Sequence, residues 1–291
     1  MAVTPALQRV HPMRRMIRES LVFGFILVCA VLSLLLEARA STAQDEPLWP
    51  DREEIEHFLK KAKVTERKKI GTGVTHPEKV TLELDGAVRH AAFKKIDEKF
   101  DNWRNEVAAY ELDKLLGIGM VPPTVERSVG GHAGCLQLWV TGTTMDTHDT
   151  RFPDVEKWRD QVSVMWLFDD LIANVDRHLN NAMASPECRL MLIDHSRSFR
   201  DNEELRNDLN AKVDGTNARL WGLEPDAKLE RFPTRYPRAL IERLQSLTDK
   251  QIKDAIDRYV WGWRQKLLLD RRKRLLGRVE SMGPEAIRTA P

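Results

Sequence analysis

The sequence predicts an α+β chain of two lobes, strand-rich in front and mostly helical behind, with a cleft between them. Two observations carry this. Between residues 70 and 140, short apolar runs alternate with turn signals around a single helical stretch. Beyond residue 140, apolar residues recur at helical spacing in segments too long for ordinary strands. With 42% hydrophobic and 31% charged residues among 291, the chain has the apolar content for a real core.

The first 40 residues stand apart. Arg14, Arg15 and Arg18 precede the run "LVFGFILVCAVLSLLL", and Ala38 and Ala40 follow in a small-x-small pattern. This reads as a secretory signal peptide over 1–40. Its 16 apolar residues, Leu21 to Leu36, fall short of the roughly 20 that cross a bilayer comfortably. Cleavage near Ser41 is the first reading and an uncleaved anchor the alternative; the membrane is a partner only in the second case. Either way the folded part is exported, to a periplasm, a secretory lumen or the outside. Cys29 lacks the small residues that precede a lipid-modified cysteine. Without these 40 residues, 41 Lys/Arg face 42 Asp/Glu, so the formal +2 belongs to targeting and nothing suggests a nucleic-acid partner. Cys135 and Cys188 remain, as a disulfide or as two free thiols.

Residues 41–69 read as a polar leader and a first helix, through "REEIEHFLKKAKVTERKKI". The front lobe is then 70–140. "VTLEL" alternates, Asp85-Gly86 is a strong hairpin signal, and "VRHAAFKKI" resumes as a strand. In "FDNWRNEVAAYELDKLLGIG" the residues Trp103, Val107, Tyr110, Leu112 and Leu115 mark a helix, with Asp101 as N-cap and Gly117 as C-cap. "VPPTVERSVGGHAGCLQLWV" gives two strands around a glycine turn. The rear lobe is 141–280. It opens with the long helix "PDVEKWRDQVSVMWLFDDLIANV", passes a buried strand "RLMLID" and loop-like 209–225, and closes in two or more helices over 238–279. A tail covers 281–291.

Chemistry concentrates in "ANVDRHLNNA" (173–182) and "LMLIDHSRSF" (190–199). An aspartate after a long helix, an asparagine five residues on, and an aspartate after a short strand is the order found in phosphoryl-transfer lobes. Such transfer needs a carboxylate to orient or deprotonate the acceptor hydroxyl, and oxygen ligands for Mg²⁺ or Mn²⁺ on the phosphates. Asp176 fits the first role; Asn181 and Asp194 fit the second. The bland alternative makes both aspartates loop caps. Asn180 reads as a turn residue, and Arg177 and His178 as braces. No histidine pair sits at zinc-ligand spacing with cysteines. Trp158, Trp166, Trp261 and Trp263 fall in helical segments and read as core.

"NVDRHLNN" with "LIDHSRSF" resembles the D-R-H-x-x-N…D signature of the phosphatidylinositol 3/4-kinase-like superfamily, which includes HipA-type bacterial kinases. "NEVAAYELDKLLGIGMVPPTVER" is similar to its secretory-pathway branch, the family with sequence similarity 20 that includes the Golgi casein kinase. The resemblance covers roughly residues 70–200, with a weaker match near "LLLDRRKRLLGRV". It implies a protein-kinase-like two-lobed fold. It also implies that Lys94 in "AAFKKI" meets the ATP phosphates and that Glu106 pairs with it. Lys95 and Glu111 are their rivals, and alternation points Lys95 to the opposite face. Gly71, Thr72 and Gly73 would form the phosphate loop, although no full G-x-G-x-x-G is present. Leu138, Trp139 and Val140 would line the adenine. His195 and Ser196 depart from the residues usual after the metal aspartate, and the short step from Lys94 to Glu106 demands a tight connection.

The resemblance therefore implies an exported, ATP- and Mg²⁺- or Mn²⁺-dependent kinase. A protein serine or threonine is the first-choice acceptor, and a sugar or lipid hydroxyl the second. The alternative is a pseudokinase that binds without transfer.

Overall fold

A computed structural model describes residues 47–71, 77–99, 101–149, 151–201, 212–213, 220, 230–231 and 235–288. The signal-peptide reading, Thr72, Gly73 and most of 209–225 lie outside them. The chain divides into a unit Met1–Pro47 and a unit Leu48–Pro291, and the second holds every element below.

Helix α1 (Arg52–Lys61) buries Ile55, Phe58 and Leu59, the helical face of its sequence. The helix stops sooner than its sequence suggests. Residues Lys63–Lys69 form strand β1, antiparallel to β2 (Glu78–Leu84), with Lys63 opposite Glu83 and Lys69 opposite Glu78. Opposite charges across the ladder favour this pairing, and a row of exposed charges suits the outer edge of a sheet. The hairpin from β2 to β3 (Ala87–Lys94) turns at Asp85 and Gly86, with φ of 49° and 79°, as a two-residue type I′ connection requires.

Helix α2 (Trp103–Leu116) follows. Its N-cap is Asn102, whose side chain accepts from the Arg104 amide, one residue later than the sequence suggested. Gly117 ends it at φ 71°, as anticipated. Strands β4 (Thr124–Glu126) and β5 (Cys135–Leu138) complete an antiparallel sheet in the order β1-β2-β3-β5-β4. Val80, Leu82, Ala91, Phe93 and Leu136 pack under α1 as its core. The buried Asp113 carboxylate accepts the amides of Gly119, Met120 and Val121, which sets the turn from α2 toward β4.

The rear of the unit is built on helix α3 (Val155–Leu171) and helices α4 (Arg238–Ser246), α5 (Asp249–Ile256) and α6 (Gly262–Ser281). A small antiparallel sheet joins β6 (Thr143–Thr144), β7 (Ala182–Ala184) and β8 (Leu190–Leu192). The stretch read as loop contains β9 (Lys212–Val213), which pairs with β10 (Glu230–Arg231) beyond it. Strands β11 (Tyr236–Pro237) and β12 (Ile287–Arg288) pair in parallel, so part of the expected tail is structured.

Trp158 is buried in the main core and Trp166 packs against it, but Trp261 and Trp263 are 62% and 47% exposed. Their core reading fails because they flank the start of α6, where Arg264 stacks over both rings. Cys135 and Cys188 are separate free thiols. Among the described residues no helix is long and apolar enough to cross a membrane.

Candidate active site

Strand alternation builds the first wall. Ala91 and Phe93 enter the sheet core, so Ala92 and Lys94 face the cleft. Lys95 returns to the other face, where its Nζ lies 3.0 Å from Glu78. Lys94 Nζ donates to Glu106 Oε1 at 2.5 Å and to Asp194 Oδ1 at 3.3 Å. Glu111 pairs with Lys114 instead. The step from β3 to α2 is tight, closed by the Trp103 amide on the Ile96 carbonyl and the Glu98 amide on that of Asp101.

Helix α2 is bolted to the segment after β8. Glu106 Oε2 accepts the His195 amide at 3.0 Å, and Asn105 Nδ2 donates to the carbonyls of Ser196 and Ser198. Asp194 itself sits at φ 59°, a left-handed conformation that costs a non-glycine residue and that these bonds hold in place. His195, the departure from the usual pattern, is fully buried. Burial, reinforced by Arg177 and Lys94, holds its pKa far below the usual range, so the ring is neutral. Its Nε2 accepts from Arg177 Nη2 at 2.9 Å, which leaves the proton on Nδ1.

The loop that carries Asp176 follows α3. Asn174 Oδ1 accepts the Asp176 amide at 3.1 Å, while its Nδ2 donates to Asp169. Arg177 forks onto Asp169 at 2.8 and 3.1 Å and reaches the carbonyls of Asn181 and Ile193. It is the brace its position suggested. Asn181 Nδ2 donates to the Asp176 carbonyl at 2.9 Å and lies 3.0 Å from His178 Nε2. That assignment leaves the Asn181 Oδ1 as the atom able to ligate a cation.

The electrostatics follow from this geometry. Burial works against the Lys94 charge, but Asp194 and Glu106 outweigh it and raise the ammonium pKa. The Lys94 charge in turn holds the Asp194 carboxyl well below the usual carboxylate range, against the effect of burial. Burial pushes Glu106 upward, with Lys94 opposing.

Lys94 and Asp194 line one cleft of about 720 Å³, a volume suited to a small ligand. Leu138, Trp139 and Val140 line it, with Lys79 Nζ 4.4 Å from the Trp139 ring centroid. Asp176 and Asn181 line it too. Gly71 is exposed at the start of its loop, which the Ile70 amide closes onto the Pro77 carbonyl at 3.0 Å; Ile70 and Pro77 rather than Gly71 line the cleft. Sequence reasoning missed Met183 and Ile193; Met183 could have been found by alternation from Asn181, whereas alternation from Asp194 would have turned Ile193 away. It also missed Gln137, Arg197 and the cleft-facing role of Asp101. Nothing local marked the last two.

Among the described residues no group of three His, Cys, Asp or Glu side chains could hold a metal alone. The Asn181 amide oxygen and the ionised Asp194 carboxylate are hard oxygen donors at the same cleft. They fit Mg²⁺ or Mn²⁺, which completes such a shell with phosphate oxygens and water.

No family model and no curated protein matches the chain. Solved structures do. A hydra Fam20 determined with sugar matches at TM-score 0.51 and 16% identity, over 81% of this chain and 91% of that one. A Golgi casein kinase matches at TM-score 0.50 and 12% identity, over 80% of this chain and 76% of that one. The fold is therefore α+β, two-lobed and kinase-like.

Proposed function

We propose that this chain, which has the fold of the Fam20 and Golgi casein kinase structures, transfers the γ-phosphate of ATP to a hydroxyl. The observation that carries the reading is one constellation. Lys94, paired with Glu106, meets Asp194 at the cleft that also holds Asp176 and Asn181. Lys94 supplies a shielded cation for the ATP phosphates. Leu138, Trp139, Val140, Met183 and Ile193 offer the apolar walls that a base needs, and the loop from Gly71 through Thr72 and Gly73 would cover the phosphates. Asn181 and Asp194 would hold Mg²⁺ or Mn²⁺, which when bound neutralises charge on the phosphate oxygens. Asp176 orients the acceptor hydroxyl and takes its proton. The acceptor oxygen then bonds to the γ-phosphorus, and the bond to the β–γ bridging oxygen breaks, its electron pair leaving with ADP.

A protein serine or threonine is the first-choice acceptor. A glycan hydroxyl is the second, favoured by the sugar in the hydra Fam20 structure. An exported location follows from the signal-type N-terminus. A pseudokinase would keep this cleft and bind without transfer.

The test incubates the purified chain with γ-labelled ATP, Mn²⁺ or Mg²⁺, and a panel of acidic proteins and glycans. Label transfer that Asp176→Ala and Asp194→Ala both abolish supports the kinase reading. Nucleotide binding without any transfer leaves the pseudokinase.

A further inference from the structure

Arg197 and Asp101 lie outside the catalytic set assigned above, yet both line the cleft. Arg197 Nε donates to Asp101 Oδ2 at 3.3 Å, and its Nη1 lies 3.5 Å from Asp176 Oδ1. One guanidinium thus joins the connection before α2 to the loop that carries Asp176. Asp101 is only 8% exposed, and its Oδ1 has no hydrogen-bond partner among the described residues. A carboxylate so buried and half satisfied is costly. Arg197 is its cationic partner, so the position is best explained as an anchor for that arginine.

The contact with Asp176 has the opposite character. It is at the outer limit of hydrogen bonding, and the Asp176 side chain is 30% exposed against 12% for Asp101. An ion pair of that kind contributes little and is readily exchanged. The guanidinium is planar, permanently charged and shaped for phosphate oxygens. Under the kinase reading the γ-phosphate must bridge Asp194 on one side and a hydroxyl at Asp176 on the other. Arg197, three residues past Asp194 and resting against Asp176, stands beside that path.

We infer that Arg197 is a catalytic residue, a cation built into the chain that leaves Asp176 to grip the transferring γ-phosphoryl group, with Asp101 as its positioning residue. The arrangement serves two states. Without nucleotide, Arg197 covers the Asp176 carboxylate. With ATP bound, it moves to oxygens that gain charge as the bridging bond breaks, and Asp176 is freed for the hydroxyl. The inference rests on the kinase reading and goes beyond it.

The experiment compares calorimetric binding of Mg²⁺–ADP and of Mg²⁺–adenylyl imidodiphosphate, together with turnover, for the full chain and for Arg197→Ala, Arg197→Gln and Arg197→Lys. The unsubstituted chain is expected to prefer the triphosphate analogue. Arg197→Ala and Arg197→Gln are expected to reduce that preference about tenfold while ADP affinity stays within about twofold, and to lower kcat by about 10²–10³-fold. Arg197→Lys is expected to restore part of both. Having two neutral variants keeps the test open if one misfolds. Asp101→Asn should move the same preference in the same direction, by less. An unchanged preference overturns the proposal whatever happens to turnover. So does an equal loss of ADP and analogue affinity, which marks a structural role, and so does a rise in turnover, which marks a mere shield on Asp176. If the unsubstituted chain binds neither nucleotide, the kinase reading itself has failed.

Discussion

Lys94 Nζ and Glu106 Oε1 lie 2.5 Å apart, both buried, and the second Glu106 oxygen holds the His195 amide at 3.0 Å. One carboxylate thus ties β3, α2 and the segment after Asp194 together. Lys94→Ala should abolish most ATP-dependent thermal stabilisation and leave Glu106 without its cation. Removing one partner of a buried pair costs about 3–5 kcal/mol. Lys95→Ala, on the opposite face beside Glu78, should leave nucleotide binding intact. Thermal melts with and without ATP check both; a reversed pattern would mean that Lys95 is the ATP lysine.

The three polar residues of the rear wall should separate by assay. Asp194→Ala should remove metal-dependent ATP binding together with turnover. Asn181→Ala should do so more mildly, since a neutral oxygen holds a dication less firmly. Asp176→Ala should keep nucleotide and metal affinity and lower turnover by roughly 10²–10⁴-fold. Calorimetry and turnover run in parallel check this, and unchanged turnover in both aspartate variants sinks the kinase reading.

Asp113 should give stability a measurable pH slope. Burial pushes its carboxyl from 3.8 up to about 6, with the three amide bonds and Arg52 opposing. A folded pKa above the unfolded one means that the contribution is fully present below pH 3.8 and is lost as pH rises through about 6. The loss amounts to about 3 kcal/mol, at about 1.4 kcal/mol for each unit. Urea unfolding at intervals from pH 4 to 6 should show stability falling more steeply in the native chain than in Asp113→Asn, which cannot titrate. Equal slopes would contradict this.

Gly134 should resist substitution. A Cβ there would overlap the Lys94 carbonyl oxygen and crowd the Phe93 ring. Because β3 and β5 pair at Lys94 and Cys135, the backbone must shift where Lys94 is carried. Gly134→Ala should therefore cost about 1–3 kcal/mol of stability and weaken ATP affinity. Gly131→Ala instead faces a positive φ, 82°, meets no atom within 4 Å and lies off the cleft, so it should lower stability with ATP affinity unchanged. Denaturant titration and nucleotide binding on the two variants provide the check.

What the sequence determined alone was local. The Asp85-Gly86 hairpin, the α2 helix ending at Gly117 and the long α3 follow from turn chemistry and periodicity, which act over a few residues, while the set Asp176, Asn181 and Asp194 was legible as a motif. The resemblance pointed to Lys94, and alternation added only that Lys95 faces the opposite way, as it does. Tertiary structure decided the rest. Residues 63–69 became a strand because β2 offered a charged edge to pair with, and Trp261 and Trp263 stay exposed at the start of α6, where Arg264 lies over both rings. Asp101 looked like a cap, and Asn102 took that role while Asp101 turned to Arg197, 96 residues away. A contact over that separation leaves no local pattern; it exists only once two lobes have packed and burial has made an unpartnered charge costly.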